Sequence, residues 1–176
     1  MPDISFKDML KKALEMEEKG YKFYIDSAKK VEDSVTKKTF EFLAKNETQH
    51  VKIIKVFYES MVKEGAFPDL TPDDTRDKAS EDITIFARNI KDLKEKIKPS
   101  ESDKEALEFA IEFENSGYSY YQKFLKESKD KNLVKLLNFL LKEEDRHCKA
   151  LLNIHTYITD SANWYMYEEG SFPQGG

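Results

Sequence analysis

The sequence predicts an all-α fold, a four-helix bundle of two helix hairpins joined by a long crossover that carries a short extra helix. Three observations predict it. Charged residues make up 36% of the 176-residue chain, with only six Gly and five Pro, a balance that suits long solvated helices better than turn-rich β structure. Four long segments repeat apolar residues at helical spacing with no internal proline. The chain also repeats itself, because "ALEMEEKGYKFY" at 13–24 matches "AIEFENSGYSYY" at 110–121 with an offset of 97.

The first helix is expected from about Ser5 to Val31, capped by Asp3 or Ser5, with Leu10, Leu14, Glu17, Tyr21, Tyr24 and Ala28 inward. The second spans about Ser34 to Glu64 and stops at Gly65, with Pro68 just beyond. Its seam reads Phe40, Leu43, Glu47, His50, Ile54, Phe57 and Met61. Next come a loop, "GAFPDLTPDDT", and an amphipathic stretch, "SEDITIFARNIKDLKEKIK", which is expected to form the crossover helix. The third long helix follows "KPSESDKE", where Ser102 and Glu105 offer a capping box, and turns Leu107, Ile111, Glu114, Tyr118, Tyr121 and Leu125 inward. The fourth runs from about Lys131 to Thr159, with Leu137, Leu140, Glu144, His147, Leu151 and Ile154 among its inward residues. One bundle domain over residues 1–160 and an aromatic tail over 161–176 result.

Composition narrows the function. A net charge of -5 argues against a general nucleic-acid surface. No apolar run approaches the about 18 residues of a membrane span, and "MPDISFKD" lacks a signal-peptide core. A cytoplasmic protein without a membrane partner is the expectation. Cys148 is the single cysteine, which excludes an internal disulfide and any four-cysteine zinc or rubredoxin-type iron site. The tail segment "NWYMY" offers an aromatic face through which a homodimer is expected to form.

The offset of 97 carries Glu17 to Glu114, Glu47 to Glu144 and His50 to His147. Each hairpin therefore places one Glu on its first helix and a Glu-x-x-His on its second. Residues three apart share a helix face, so four carboxylates and two imidazoles converge near one midpoint. Unaided, that many buried carboxylates would repel one another and resist desolvation. Two divalent cations cancel the four charges, and mixed N/O ligation suits iron or manganese better than thiol-preferring metals. Glu is common here, 20 of 176 residues, so one Glu-x-x-His decides nothing. Two in repeat register, each on an inward seam, are a specific signal.

This pattern resembles the rubrerythrin branch of the ferritin-like di-iron carboxylate superfamily. "ALEMEEKGYKFY" and "FLAKNETQHVKII" are similar to that family's first and second ligand helices, and "AIEFENSGYSYY" and "FLLKEEDRHCKALL" to its third and fourth. The resemblance covers roughly residues 8–158 and implies that Glu17, Glu47, His50, Glu114, Glu144 and His147 ligate two iron ions, with manganese or zinc as possible substitutes. It implies reduction of hydrogen peroxide or dioxygen, in an oxidative-stress role, with electrons from an external donor such as rubredoxin or a reductase. Two departures stand out. Rubrerythrins carry a further carboxylate one turn after the third-helix ligand, where this chain has Gly117, and they end in a rubredoxin domain with four cysteines. The six-residue set thus also looks like a bacterioferritin ferroxidase centre, so iron handling is one alternative function, and a non-enzymatic bundle with structural metal is another.

Around these six, Tyr21, Tyr24, Tyr118 and Tyr121 lie one and two turns beyond the Glu ligands. They are expected to hydrogen-bond ligand carboxylates or to act as core aromatics, with electron relay a lesser option. Gly20 and Gly117 suggest close packing ahead of room for a small oxidant. Glu15, Glu18, Glu112 and Glu143 are expected to face away, His155 to be a satisfied histidine, and Cys148 a small apolar filler.

Overall fold

The computed structural model describes residues 5–71 and 100–160. Within them the chain forms four helices and no strand: α1 (Phe6–Ala28), α2 (Ser34–Glu64), α3 (Glu101–Glu127) and α4 (Lys131–Thr159). α1 packs chiefly on α2 and α3 chiefly on α4, and the hairpins meet through α2 with α4 and α1 with α3. This is the expected all-α, ferritin-like four-helix bundle. The expected crossover helix and the aromatic tail lie outside the described residues.

Local chemistry fixes the helix ends. Ser5 caps α1 by accepting from the Asp8 amide, and Asp33 and Asp130 cap α2 and α4 in the same way. α2 stops at Gly65, whose φ of 68° is a left-handed conformation that glycine adopts without strain. α3 departs from expectation. Its capping box is Ser100 with Asp103, not Ser102 with Glu105. The deciding contact is tertiary, because fully buried Asp103 also accepts from the Glu32 amide at 3.0 Å, tying the α1–α2 turn to the start of α3.

Two apolar clusters divide the interior. One gathers Met9 and Leu10 of α1, Ile54 and Phe57 of α2, Phe124 of α3 and Leu133 of α4. The other gathers Ala28, Val35, Phe40, Leu107, Leu151 and Ile154. The first joins the start of α1 to the end of α3, so those helices run antiparallel, as the start of α4 and the end of α2 do. The residues between the clusters on each helix are the midpoints, where Glu17, Glu47, Glu114 and Glu144 stand.

Candidate metal centre

The middle layer is polar and dry. Glu17, Glu47, His50, Glu114, Glu144 and His147 are each at most 3% exposed. All six sequence-predicted residues come together. His50 Nδ1 lies 3.0 Å from Glu17 Oε2 and 3.6 Å from Glu47 Oε2. His147 Nδ1 lies 3.4 Å from Glu47 Oε1 and 3.3 Å from Glu114 Oε2. Glu47 thus presents one oxygen to each imidazole. The two rings stack 5.4 Å apart with 18° between their planes.

Donor atoms of Glu17, Glu47 and His50 converge within 4.8 Å of one another, as do those of Glu47, Glu114 and His147. Each trio can hold an ion, and Glu47 belongs to both. Glu144 lies in neither trio. It is hydrogen-bonded to Glu114, as Glu47 is to Glu17.

Electrostatics explains how the layer stays folded without a cation. Burial and the Glu17 charge push the Glu47 carboxyl up to about 8, and burial and the Glu114 charge put Glu144 well above its usual range. Both stay protonated at neutral pH. Burial works to raise Glu17 as well, but the Glu47 hydrogen bond and the His50 charge outweigh it and bring Glu17 down to about 2. Glu114 is lowered in the same way, with His147 overcoming burial. Burial opposes the charged imidazoles, yet Glu114 pushes His147 up to about 10 and Glu17 holds His50 well above its usual value. The metal-free layer therefore holds two carboxylates, two imidazolium rings and two neutral acids. It is neutral, but it keeps four protons where a metal centre needs lone pairs.

The donor set fits two divalent cations. Four carboxylates and two neutral imidazoles would match them charge for charge. Glu47 Oε1 is also buried with no hydrogen bond. Its 3.4 Å contact with His147 Nδ1 falls short of hydrogen-bond geometry, and a buried oxygen left in this way is a natural ligand position.

The tyrosines divide. Tyr24 donates to Glu114 Oε1 and Tyr121 to Glu17 Oε1, each reaching across to the opposite hairpin. Burial and the surrounding carboxylates raise both hydroxyls well above their usual value, so they remain donors. Tyr21 is 43% exposed and Tyr118 only half-buried, which corrects the expectation that all four share the ligand face. Helix rotation gives the reason. A residue seven on returns to within about 20° of the Glu direction, whereas one four on overshoots by about 40°.

Glu143 corrects a second expectation. It is buried at 6%, paired with Arg146 at 2.6 Å, and one of its oxygens lies with ring nitrogens of His50 and His147 in a third close trio. Asn46 is buried too, with Nδ2 3.4 Å from His147 Nε2. The sequence reading turns Glu143 outward and does not single out Asn46, although each stands four residues before a ligand histidine and so on its face. Glu15, Glu18 and Glu112 are exposed as expected, and His155 pairs with Glu108 at 3.3 Å. Burial pushes the Cys148 thiol up to about 11, so it sits protonated among its neighbours.

The glycines make room. A Cβ on Gly20 would stand 2.8 Å from Phe113 Cε1, and one on Gly117 would stand 3.0 Å from Glu144 Oε2. Gly117→Ala is therefore expected to fold, since a flexible carboxylate can yield, but to displace Glu144 and weaken ion uptake about tenfold. Equilibrium dialysis against Mn(II) measures it, and unchanged uptake would show that Glu144 takes no part in binding.

A bundle of two hairpins with a buried carboxylate–imidazole layer at its midpoint defines a class, the ferritin-like proteins with a two-ion centre. A family model for rubrerythrin matches residues 8–104, more than half of the chain, and the chain belongs to the rubrerythrin family, one of di-iron carboxylate proteins. The matched range includes Glu17, Glu47 and His50. Glu114, Glu144 and His147 lie beyond it and join them through the internal repeat. Comparison with curated proteins and with solved structures found no match.

Proposed function

We propose that Glu17, Glu47, His50, Glu114, Glu144 and His147 hold two iron ions and that the protein reduces hydrogen peroxide or dioxygen with electrons from an external donor. The observation that carries this reading is the pair of donor trios sharing Glu47. Iron, when bound, supplies the redox chemistry, since two ferrous ions carry the two electrons that convert hydrogen peroxide and two protons into two waters.

The chain supplies the rest. Glu47, with an oxygen toward each imidazole, is set to serve both ions. Tyr24 and Tyr121 hold the Glu114 and Glu17 carboxylates from behind, fixing which lone pairs remain free. The apolar clusters above and below keep bulk water from the layer. Glu144, hydrogen-bonded to Glu114 and facing Gly117, completes the ligand set when it gives up its proton.

The test loads the protein anaerobically with two equivalents of Fe(II) and mixes it rapidly with peroxide. The expected result is oxidation much faster than that of free Fe(II) in the same buffer, and renewed turnover when rubredoxin and its reductase are added. Oxidation no faster than free Fe(II) would refute the redox reading.

A further inference from the structure

The internal repeat is nearly symmetric in its ligands and unsymmetric just behind them. Asn46 and Glu143 are related by the same offset of 97 as the ligands. Both are buried, at 8% and 6%, and each stands one turn before the histidine of its own helix. Asn46 does not serve that histidine. Its amide lies 3.4 Å from Nε2 of His147 on the opposite hairpin. The repeat operation maps Asn46 beside His147 onto Glu143 beside His50, and a Glu143 oxygen does lie within 4.8 Å of a ring nitrogen of each histidine.

The chemistry of the two backing groups differs. Nδ1 of each ring faces the carboxylates. When Nδ1 gives its lone pair to a cation, Nε2 carries the proton and needs an acceptor. Asn46 can offer a neutral amide oxygen after a flip of its terminal group. Glu143 offers an anion. Arg146 Nη1 grips Glu143 Oε1 at 2.6 Å, which holds the carboxylate in place beside the rings. The repeat counterpart of Arg146 is Gln49, so an ion pair in one half stands where two amides stand in the other. A carboxylate behind an imidazole raises its basicity as a ligand more than an amide does.

We propose that Glu143 is a positioning residue for the His50 imidazole and that it makes the two ion positions unequal, the one at Glu17, Glu47 and His50 binding more tightly than the one at Glu47, Glu114 and His147. This rests on the reading of the centre as a two-ion site. A purely structural Glu143 would only anchor Arg146.

The experiment titrates the metal-free protein with Co(II), followed by its visible absorption, with thermal melting of the metal-free form as the control for folding. Wild type is expected to show two unequal steps, and His50→Ala to abolish the tighter one. Glu143→Gln is expected to weaken the tighter step about 10–100-fold and leave the weaker within about threefold, and Glu143→Asp to restore part of the difference. Asn46→Asp, which alters the other half, is expected to strengthen the weaker step. If Glu143→Gln moves both steps equally or neither, or if Asn46→Asp leaves the weaker step where it was, the inference is overturned. If wild type takes up fewer than two Co(II), the two-ion reading itself falls.

Discussion

Replacing Glu47 with glutamine is expected to weaken both ion positions at least about 100-fold and, in the same protein, to make the metal-free form more stable at alkaline pH. The first effect follows from sharing. Glu47 belongs to both donor trios, and loss of even an outer partner of a ligand costs about 10–100-fold in affinity. The second follows from linkage. The Glu47 carboxyl titrates near 4.5 in the unfolded chain and at about 8 in the folded one, so the fold favours its protonated form. That contribution is complete below pH 4.5 and is lost as pH rises through 8. An amide imitates the protonated acid at every pH. Metal-free Glu47→Gln is therefore expected to melt several degrees above metal-free wild type at pH 9 and close to it at pH 4. A variant that lost stability at pH 9 would mean that Glu47 makes a favourable anionic contact in the fold.

Loading two divalent ions at pH 7 is expected to release close to four protons. In the metal-free protein Glu47, Glu144, His50 and His147 each hold one, and each must lose it to offer a lone pair. The layer is neutral before and after, with protons exchanged for cations. Affinity then falls steeply on acidification. Above pH 8 the release should drop toward three as Glu47 ionises unaided, and above pH 10 lower still as His147 follows. A pH-indicator dye in weak buffer, read during titration with Mn(II) under nitrogen, counts the protons. Release of one or none would show that the carboxylates and imidazoles are already free, contrary to their burial.

The same titrations set the stability profile of the metal-free form. Glu17 is lowered from 4.5 to about 2, so its contribution is present above pH 4.5 and fades as pH falls through 2. His147 is raised from 6.5 to about 10, so its contribution is full below pH 6.5 and fades as pH rises through 10. Metal removal therefore leaves a protein most secure in mildly acid solution.

The six central residues were legible in the sequence because periodicity and repeat agree on them. A buried Glu or His on an otherwise apolar seam breaks the pattern at six places on four helices, and the offset of 97 makes each break confirm another. Features set by the contact of distant segments were not legible. Ser100 with Asp103 and Ser102 with Glu105 satisfy the same local spacing, and only the Glu32 amide from another hairpin selects the first. Tyr21 and Tyr24 both follow Glu17 at helical intervals, and a small angular difference buries one and exposes the other. Glu143 looked like an ordinary charged neighbour of Glu144. Its burial goes with the Arg146 pair on its own helix and with the meeting of the His50 and His147 rings across the two hairpins, which no single helix shows.

On the proposed function, acidic groups meet at the centre of this bundle because cations bind there, and anomalous diffraction at the iron edge from crystals grown with Fe(II) tests that most directly. Two peaks are predicted, one among Glu17, Glu47 and His50 and one among Glu47, Glu114 and His147, with Glu144 turned toward them. A map without anomalous peaks in that layer, its carboxyl groups paired with one another, would contradict it.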